Sequence, residues 1–255
     1  MIRAKKSLGQ HFLVDQNYIN KIADAALQAD TRVHVEIGPG GGAITGKLYE
    51  EASELVLIET DSRVIEELQS NYPEAEIHHA DILKFDWGKL RDRAPIAVTG
   101  NLPYYITSPI LFQLLECRDM VDQIVVMIQK EVADRILARP STKDYGILSV
   151  QFQLFFRVDR LFNVPPTVFR PRPKVESSVI RMKPAGRAGL NVDERFLRKL
   201  IRDAFARRRK TLNNNLKGLY PVEKLTDEIR GRRAETFTPD EFVELAAMLS
   251  GTDES

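Results

Sequence analysis

The chain has 255 residues, of which 43% are hydrophobic and 29% charged, and its formal net charge is +1. These values are ordinary for a soluble globular protein. No apolar run approaches the roughly eighteen residues of a membrane span, and the N-terminus lacks the apolar core of a signal peptide. The single cysteine, Cys117, cannot form an internal disulfide. We therefore expect a cytoplasmic protein without a membrane segment, in which Cys117 is a small buried residue.

The first part of the chain alternates between predicted strands and predicted helices. Apolar residues at helical spacing predict a first helix over 17–29, and a strand over 32–38 then runs into a glycine-rich segment. The strands predicted after it are 54–59, 76–79, 96–99 and 123–128, and the helices are 44–51, 63–72, 108–115 and 132–138. This alternation is typical of a parallel sheet covered by helices on both faces.

The alternation ends after Pro140. The patterns at 147–157 and 175–182 predict two strands, joined by a stiff proline-rich loop. A linker-like stretch follows, and beyond it the patterns are helical, with Thr238 and Glu241 at the positions of a capping box. We therefore predict two domains, residues 1–187 with an α/β fold and residues 188–255 with helices alone.

A glycine-rich turn, EIGPGGGA at residues 36–43, lies between a predicted strand and a predicted helix. Such a turn lets a ligand approach the backbone at the N-terminus of the helix. The segment also satisfies the GxGxxG/A pattern of NAD- and FAD-binding proteins, so a dinucleotide is one alternative. Glu59 ends the next strand at a separation suited to ribose hydroxyls for either class of cofactor. Asp81 ends the third strand, where its carboxylate could accept from the exocyclic amine of adenine.

Residues 100–107, GNLPYYIT, end the fourth strand, and open α/β sheets bind ligands beyond such strand ends. The amino nitrogen of adenine is a poor nucleophile, and acceptors placed on its hydrogens make it more reactive. Asn101 offers a side-chain carbonyl, and Leu102 offers a backbone carbonyl whose direction the following proline restricts. Tyr104 can stack on a base, whereas we interpret Tyr105 as part of the wall. The segment therefore favours an enzyme that alkylates the amino group of a base.

A basic segment lies in the predicted helical domain. Between Arg195 and Lys217 there are nine Lys or Arg residues and one acid, Asp203. Four of these cations are consecutive: Arg207, Arg208, Arg209 and Lys210. Because the chain is otherwise near neutral, this concentration favours a local contact with nucleic acid over a solvated helix face.

Ordered motifs over nearly the whole chain resemble those of the ribosomal RNA adenine dimethyltransferases. They are KKSLGQHFLVD, EIGPGGGAIT, IETD, ADIL, NLPYYIT and VFRPRPKVESSV, followed by FARRRKTLNNNL, which is similar to a block of the small-subunit branch. The family uses S-adenosylmethionine to form N6,N6-dimethyladenosine. The resemblance implies a Rossmann-like class I methyltransferase sheet, mostly parallel and with helices on both faces, and a smaller all-α C-terminal domain that recognises rRNA.

The resemblance also implies roles for individual residues. Those expected to bind the cofactor are Gln10, His11, Leu13, Glu36, Gly38, Gly40, Gly42, Glu59, Asp81, Ile82 and Asn101. His11 stands where the family normally has asparagine, and with Gln10 it is expected near the methionine part. Those expected to hold the target adenine are Asn101, Leu102, Tyr104 and Phe169, with Phe169 stacked opposite Tyr104. Arg207 to Lys210 are expected to contact rRNA phosphates.

The function implied is dimethylation of two adjacent adenosines near the 3′ end of 16S rRNA, with a role in late maturation of the small subunit. We expect a monomer that acts on a pre-30S particle and needs no metal. Three alternatives remain open from the sequence. They are a large-subunit rRNA adenine methylase, a catalytically silent assembly or nucleic-acid-binding factor on the same fold, and an NAD-linked oxidoreductase.

Overall fold

The structure is a computed structural model that describes Lys5, residues 9–186 and residues 190–250. These residues fall into two compact units. The first contains the described residues up to Ala133 together with Val158–Pro184, and the second contains Asp134–Arg157 together with those from Ala185 onward. The boundary predicted at 187–188 lies outside the described residues. The second unit also includes Asp134–Arg157, which the sequence analysis assigned to the first domain.

Strands and helices alternate in the order expected for an α/β protein. The strands are β1 (Phe12–Leu13), β2 (Val33–Ile37), β3 (Glu54–Glu59), β4 (Glu76–His79), β5 (Ile96–Asn101), β6 (Val121–Gln129), β7 (Phe156–Val164), β8 (Phe169–Arg170) and β9 (Ser177–Pro184). The helices are α1 (Gln16–Ala26), α2 (Thr45–Glu51), α3 (Ser62–Asn71), α4 (Thr107–Glu116), α5 (Lys130–Leu137), α6 (Ile147–Phe155), α7 (Glu194–Ala204), α8 (Leu212–Leu216), α9 (Asp227–Gly231) and α10 (Pro239–Ser250).

Seven of the nine described strands form one sheet in the order β4-β3-β2-β5-β6-β9-β7, and β1 and β8 form a separate two-stranded ladder. The five strands from β4 to β6 in this order are parallel, and β9 is antiparallel to β6. The chain leaves β2 towards β3 on one side and returns to β5 on the other side. A crevice therefore opens at the carboxyl ends of β2 and β5, where ligands bind in sheets of this kind.

Both faces of the sheet are covered. Leu55 and Leu57 of β3 belong to one apolar cluster with residues of α1, α2 and α3. Val56 and Ile58, which point to the opposite face because side chains alternate along a strand, are equally buried. The mostly parallel, covered sheet confirms the predicted fold class.

The prediction of a strand over residues 147–157 was wrong. The segment forms α6 up to Phe155, and β7 begins only at Phe156. Its residues are buried on nearly every side, including the polar Gln151. The polar face that distinguishes an amphipathic helix from a buried strand is therefore absent from the sequence. Ser149 accepts from the amide of Gly146 and donates to the carbonyl of Arg135, which fixes the start of the helix.

The second unit is built from helices that pack on one another. Helix α10 contacts α6 and α7, and α7 contacts α8. The predicted capping box is confirmed, because Thr238 N donates to Glu241 Oε2 at 2.7 Å and Glu241 N donates to Thr238 Oγ1 at 3.2 Å. Among the residues described, none of the helices combines the length and apolar character needed to cross a bilayer.

Gly100 allows β5 to approach β2 closely at the carboxyl end of the sheet. It pairs with Ile37, and a Cβ atom at position 100 would lie 2.5 Å from the Ile37 carbonyl oxygen. That oxygen belongs to the backbone of the central strand and cannot rotate away. Glycine at this position therefore sets the spacing of the two strands that flank the crevice.

We predict that Gly100→Ala destabilises the protein by about 2 kcal/mol or more, because the added methyl group overpacks two central strands. Urea unfolding of the full chain measures the change in unfolding free energy. Gly46→Ala is the matched control in the same unit. Its Cβ would make an ordinary contact at 3.6 Å with the Tyr72 hydroxyl, and alanine favours the helix, so its unfolding free energy should rise. Equal stability of Gly100→Ala and the wild type would contradict the close approach.

Candidate active site

A cavity of about 450 Å³ lies at the carboxyl ends of the strands of the first unit. Its walls come from the glycine-rich turn, from the ends of β3, β4 and β5, and from residues 9–14, which we call the N-terminal strap. Most of the predicted site residues line it together: Gln10, His11, Leu13, Glu36, Gly38, Gly40, Glu59, Asp81, Ile82, Asn101, Leu102 and Tyr104. The volume suits a cofactor-sized ligand.

The glycine-rich turn is held to β3 by a carboxylate. Glu59 is buried, and its Oε2 accepts from the amide of Gly40 at 2.9 Å. Its Oε1 accepts from the amides of Thr60 and Asp61, each at 2.8 Å. Gly40 has a φ of +54°, and a Cβ there would lie 3.0 Å from the ring of Phe12. Glycine is therefore required at position 40, both for the positive φ and because the Phe12 ring leaves no room for a side chain. Because a carboxylate oxygen can accept more than one hydrogen bond, Glu59 can also accept from a ligand hydroxyl.

Glu36 is a buried carboxyl group in the wall of the cavity. It is 1% exposed, and its Oε2 accepts from the hydroxyl of Thr45 at 2.6 Å. Burial, with a smaller contribution from the negative charge of Glu59, raises the pKa of Glu36 to about 7 against the effect of the Thr45 hydrogen bond. A cationic ligand group in the cavity would favour the ionised form.

Asp61 is a site-supporting residue that the sequence analysis did not single out. Its Oδ2 accepts from Gln10 Nε2 at 3.0 Å, and its Oδ1 accepts from Arg63 Nε at 2.8 Å. The Arg63 guanidinium holds the pKa of Asp61 well below its usual range against the effect of burial, and Gln10 contributes in the same direction. The sequence signal that could have indicated Asp61 is Thr-Asp-Ser at the start of a predicted helix, because aspartate is a preferred N-cap residue and Asp61 is the N-cap of α3. Asp61 thereby ties the strap to the end of β3.

Asp81 and Ile82 lie at the end of β4. Asp81 is exposed and caps a short 3-10 turn by accepting from the amide of Leu83 at 3.0 Å. Ile82 is buried behind it. The wall of the cavity thus includes both a carboxylate and an apolar side chain here.

The end of β5 brings Asn101, Leu102 and Tyr104 to the cavity. Asn101 Nδ2 donates to the backbone carbonyl of His11 at 2.9 Å. Because a carbonyl accepts only, the amide nitrogen must face His11, and Asn101 Oδ1 is then the end of the amide that can accept from a ligand. The amide of Leu102 donates to the Met127 carbonyl at 3.0 Å, which fixes its peptide.

Tyr104 and Tyr105 have different environments. Tyr104 is half-buried, and its hydroxyl is 2.7 Å from Ser177 Oγ. Burial raises the pKa of Tyr104, with an opposing contribution from the Ser177 hydrogen bond. The ring of Tyr104 stacks on His11, with the centroids 5.6 Å apart. Tyr105 was expected to be part of the wall. It does line the cavity, but 60% of it is exposed.

Two predicted site residues are not among those that line the cavity. Gly42 is part of the glycine-rich turn, but its carbonyl accepts from the hydroxyl of Tyr72, at the end of α3. Phe169 is fully buried, and it pairs with Leu13 across the β1–β8 ladder inside the apolar cluster. Burial of an aromatic ring in the core stabilises the fold, and it keeps Phe169 from facing Tyr104 here. The structure therefore does not show the predicted sandwich of these two rings.

The four consecutive cations lie in the second unit, in the turn between α7 and α8, and all four are exposed. The turn is anchored by the buried Asn215, whose Nδ2 donates to the carbonyl of Ala204 at 2.6 Å and to that of Arg207 at 3.2 Å. Arg208 also makes contacts within the unit, to Glu235 Oε2 at 3.3 Å and to the Lys143 carbonyl. Among the residues that the structure describes, Arg208 is the one of these four cations whose side chain has a partner.

A covered parallel sheet, a glycine-rich turn and acids at the ends of successive strands define a class I S-adenosylmethionine-dependent methyltransferase. The comparisons identify the family. A family model for ribosomal RNA adenine dimethylase matches residues 1–248. The chain is 46% identical over 242 residues to ribosomal RNA small subunit methyltransferase A of Prosthecochloris aestuarii, covering 94% of this chain and 92% of the relative.

Solved structures agree. A dimethyladenosine transferase from Plasmodium falciparum superimposes with a TM-score of 0.79 at 27% identity, covering 92% of this chain and 96% of that one. The 23S rRNA methyltransferase ErmE gives a TM-score of 0.70 at 25% identity, with coverage of 94% and 100%. The chain belongs to the ribosomal RNA adenine dimethylase family, and the family resemblance and the cofactor class inferred from the sequence are confirmed.

The residues of the cavity fit S-adenosylmethionine. The buried carboxyl of Glu36 suits a cationic ligand, and at Gly38 no described atom lies within 4 Å of where a Cβ would stand, so a ligand can approach the backbone there. Glu59 and Asp81 supply acceptors for hydroxyl and amino groups. Among the residues described there is no cluster of three or more side chains that could hold a metal ion.

We predict that Glu36→Gln stabilises the ligand-free protein more strongly at higher pH. The pKa of Glu36 is raised from 4.5 in the unfolded chain to about 7 in the fold. The native protein therefore binds the Glu36 proton more tightly than the unfolded chain does. The stability that this proton contributes is complete below about pH 4.5 and is lost as the pH rises through about 7. A shift of this size corresponds to roughly 3 kcal/mol.

Urea unfolding at about pH 5 and about pH 8.5 measures the effect, and the advantage of Glu36→Gln over the wild type should widen at the higher pH. Glu66→Gln makes the same chemical change on the exposed face of α3 and is the matched control. An advantage that does not widen beyond that of the control would contradict the raised pKa.

Proposed function

We propose that this protein dimethylates N6 of two adjacent adenosines near the 3′ end of small-subunit rRNA, within a pre-30S particle. The observation that carries the proposal is the fixed amide of Asn101, which presents Oδ1 at the cavity beside Tyr104. The sequence identity to a small-subunit methyltransferase is 46%, and the identity to a 23S rRNA methyltransferase is 25%. We further propose that the protein acts as a monomer in the cytoplasm, a reducing compartment that suits the buried, free Cys117.

The residues of the cavity divide between the cofactor and the base. Glu36, Gly38, Gly40 and Glu59 would hold the methionine and ribose parts of S-adenosylmethionine, while Asp81 and Ile82 would hold its adenine. Gln10 and Leu13 of the strap would complete this pocket, and Gly42 would help to hold the glycine-rich turn through the hydrogen bond that its carbonyl accepts from Tyr72. When bound, S-adenosylmethionine supplies an electrophilic methyl group.

At the other end of the cavity, Asn101 Oδ1 and the carbonyl of Leu102 would accept from the amino group of the target adenine. These acceptors favour a pyramidal nitrogen whose lone pair can attack, and they stabilise the positive charge that develops on it. The nitrogen then loses a proton, and no strong general base is required for this step. Tyr104 would stack on the base and orient it, so orientation carries much of the rate.

The turn formed by Arg207 to Lys210 would contact rRNA phosphates from the helical unit. Exposed cations beside one another suit a phosphate backbone, since each contact releases counterions. Because Arg208 already pairs with Glu235, we assign the main RNA contacts to Arg207, Arg209 and Lys210. Arg208 would serve mainly to hold the turn.

We predict that the purified protein transfers methyl groups from S-adenosylmethionine to small-subunit particles and not to large-subunit particles. Asn101→Ala should lower kcat on the small-subunit substrate about 100-fold or more, as loss of one preorganised polar contact does. The cofactor Kd, measured by calorimetry, should stay within about threefold. Methylation of large-subunit particles alone would refute the assignment of substrate, and a weakened cofactor Kd with unchanged kcat would refute the role of Asn101.

We predict that replacing Arg207, Arg209 and Lys210 with glutamine lowers the salt dependence of RNA binding. The slope of log K against log salt should fall in magnitude by about 2, because three phosphate contacts are removed. The matched control is Lys199→Gln, which removes an exposed cation that pairs with Asp203 in the same unit. Arg208→Gln should change the slope less and destabilise the turn. If the triple variant and the control have the same slope, the turn does not contact phosphates.

A further inference from the structure

The wall of the cavity beyond β4 is formed by residues 80–83. Strand β4 lies at one edge of the sheet, where it pairs with β3, and none of its four residues is fully buried. The amide of Ala80 still donates to the carbonyl of Glu59 at 2.8 Å, but the residues after it leave the sheet and form a short 3-10 turn. The sheet therefore supports this wall on one side only, and further support has to come from another element.

Helix α4 gives that support through the side chain of Gln113. The helix packs on the 3-10 turn, and Gln113 Nε2 donates to the backbone carbonyl of Leu83 at 2.6 Å. The helix is itself anchored at its first residue, because Thr107 Oγ1 donates to the carbonyl of Pro103 at 3.0 Å. Gln113 thus ties the wall beyond β4 to a helix that is fixed just after β5.

The hydrogen bond to Leu83 leaves the other end of the Gln113 amide without a partner. Because a carbonyl accepts only, Nε2 must face Leu83, and Oε1 points away from it. Oε1 is buried, and among the described residues it has no hydrogen-bond partner. A buried, unpaired oxygen is unfavourable, whereas an apolar side chain of the same length would fill the space without this penalty. What glutamine adds at position 113 is therefore the donor to Leu83.

Leu83 connects this donor to Asp81. Its amide donates to Asp81 Oδ1 at 3.0 Å, and its carbonyl accepts from Gln113. A shift of Leu83 would therefore also move the Asp81 carboxylate. Gln113 is not among the residues that line the cavity, so it can influence a ligand there only through the residues that do.

We propose that Gln113 is a positioning residue for the adenine of the cofactor, and that it sets the place of Asp81 and Ile82 by holding the Leu83 carbonyl. The inference rests on the proposed function, which assigns Asp81 and Ile82 to that adenine. A carboxylate accepts from the amino group of adenine and is repelled by the oxygen that hypoxanthine carries at the same position. Gln113 is thereby a determinant of cofactor affinity and of the choice of base within the cofactor.

We expect Gln113→Met, which keeps the length of the side chain and removes the donor, to weaken binding of S-adenosylhomocysteine. The Kd, measured by calorimetry on the full chain, should rise about tenfold, which corresponds to about 1.4 kcal/mol. Gln113→Lys keeps an N–H donor on an unbranched side chain, and it should return the Kd to within about threefold of the wild type.

A second ligand separates positioning of the adenine from general support of the fold. S-inosylhomocysteine differs from S-adenosylhomocysteine in its base, and the wild type should bind it more weakly. In Gln113→Met the ratio of the two Kd values should fall about threefold or more, because a displaced carboxylate discriminates less between the bases.

Gln123→Met is the matched control in the same unit. Gln123 Nε2 also donates to a backbone carbonyl, that of Ala25 at 2.9 Å, and its Oε1 is likewise buried without a partner among the described residues. Gln123 does not line the cavity, and it lies near the start of β6, away from the carboxyl ends of the strands. This variant should lose stability and keep both Kd values within about twofold of the wild type.

Two outcomes would overturn the inference. Unchanged Kd values in Gln113→Met, or an equal rise in Gln123→Met, would reduce Gln113 to a structural residue. A rise that is equal for both ligands would show that the bond supports the cavity without positioning the adenine.

Thermal unfolding checks that each variant is folded at the temperature of the measurement. Should Gln113→Met prove unstable, Gln113→Glu takes its place with the same expected result, because it has the same size and turns acceptors towards the Leu83 carbonyl. Failure of the wild type to bind S-adenosylhomocysteine would instead overturn the proposed function, so the two failures are distinguishable.

Discussion

The carboxylate of Glu59 is the constraint on which the cavity depends. It accepts from the amide of Gly40, in the turn after β2, and from the amides of Thr60 and Asp61, which follow β3. Two strand ends are thereby joined through one buried group. The Asp61 side chain extends the network to Gln10 of the strap. The strap in turn reaches the end of β5 through the His11 carbonyl, so a chain of hydrogen bonds connects the glycine-rich turn with the end of β5.

Much of this arrangement could be predicted from the sequence, because it follows from strand ends. Parallel strands bring their carboxyl ends to one edge of the sheet, and Glu36, Glu59, Asp81 and Asn101 each stand at or just after such an end. Their meeting in one cavity needed only the element order. The contacts of the strap were not predictable in this way. They depend on the β1–β8 ladder, two residues on each strand, which has too few residues for a periodic signal.

Two expectations depended on packing that a sequence pattern does not carry. Helix α6 was predicted as a strand because nearly every side of it is buried, so its polar and apolar residues show no helical period. Phe169 was expected at the cavity because its motif matches the family. Whether such a ring faces a ligand or the core depends on packing with Leu13, which the motif does not encode. Motifs identified which residue types occur near the site, and tertiary contacts determined which of them reach it.

Charge separates the two halves of the proposed reaction. The acids Glu36, Glu59 and Asp81 line the cavity, and a phosphate backbone brought among them would be repelled. The proposed base site, in contrast, presents a neutral amide at Asn101 and the ring of Tyr104, which suit an uncharged adenine. The cations proposed to contact RNA are the exposed ones between α7 and α8, which belong to the helical unit. The formal net charge of +1 is thus the sum of two regions of opposite charge. The acidic cavity suits a cationic cofactor, and the basic turn suits a polyanion. In the proposed reaction only the unpaired base needs to enter the acidic cavity.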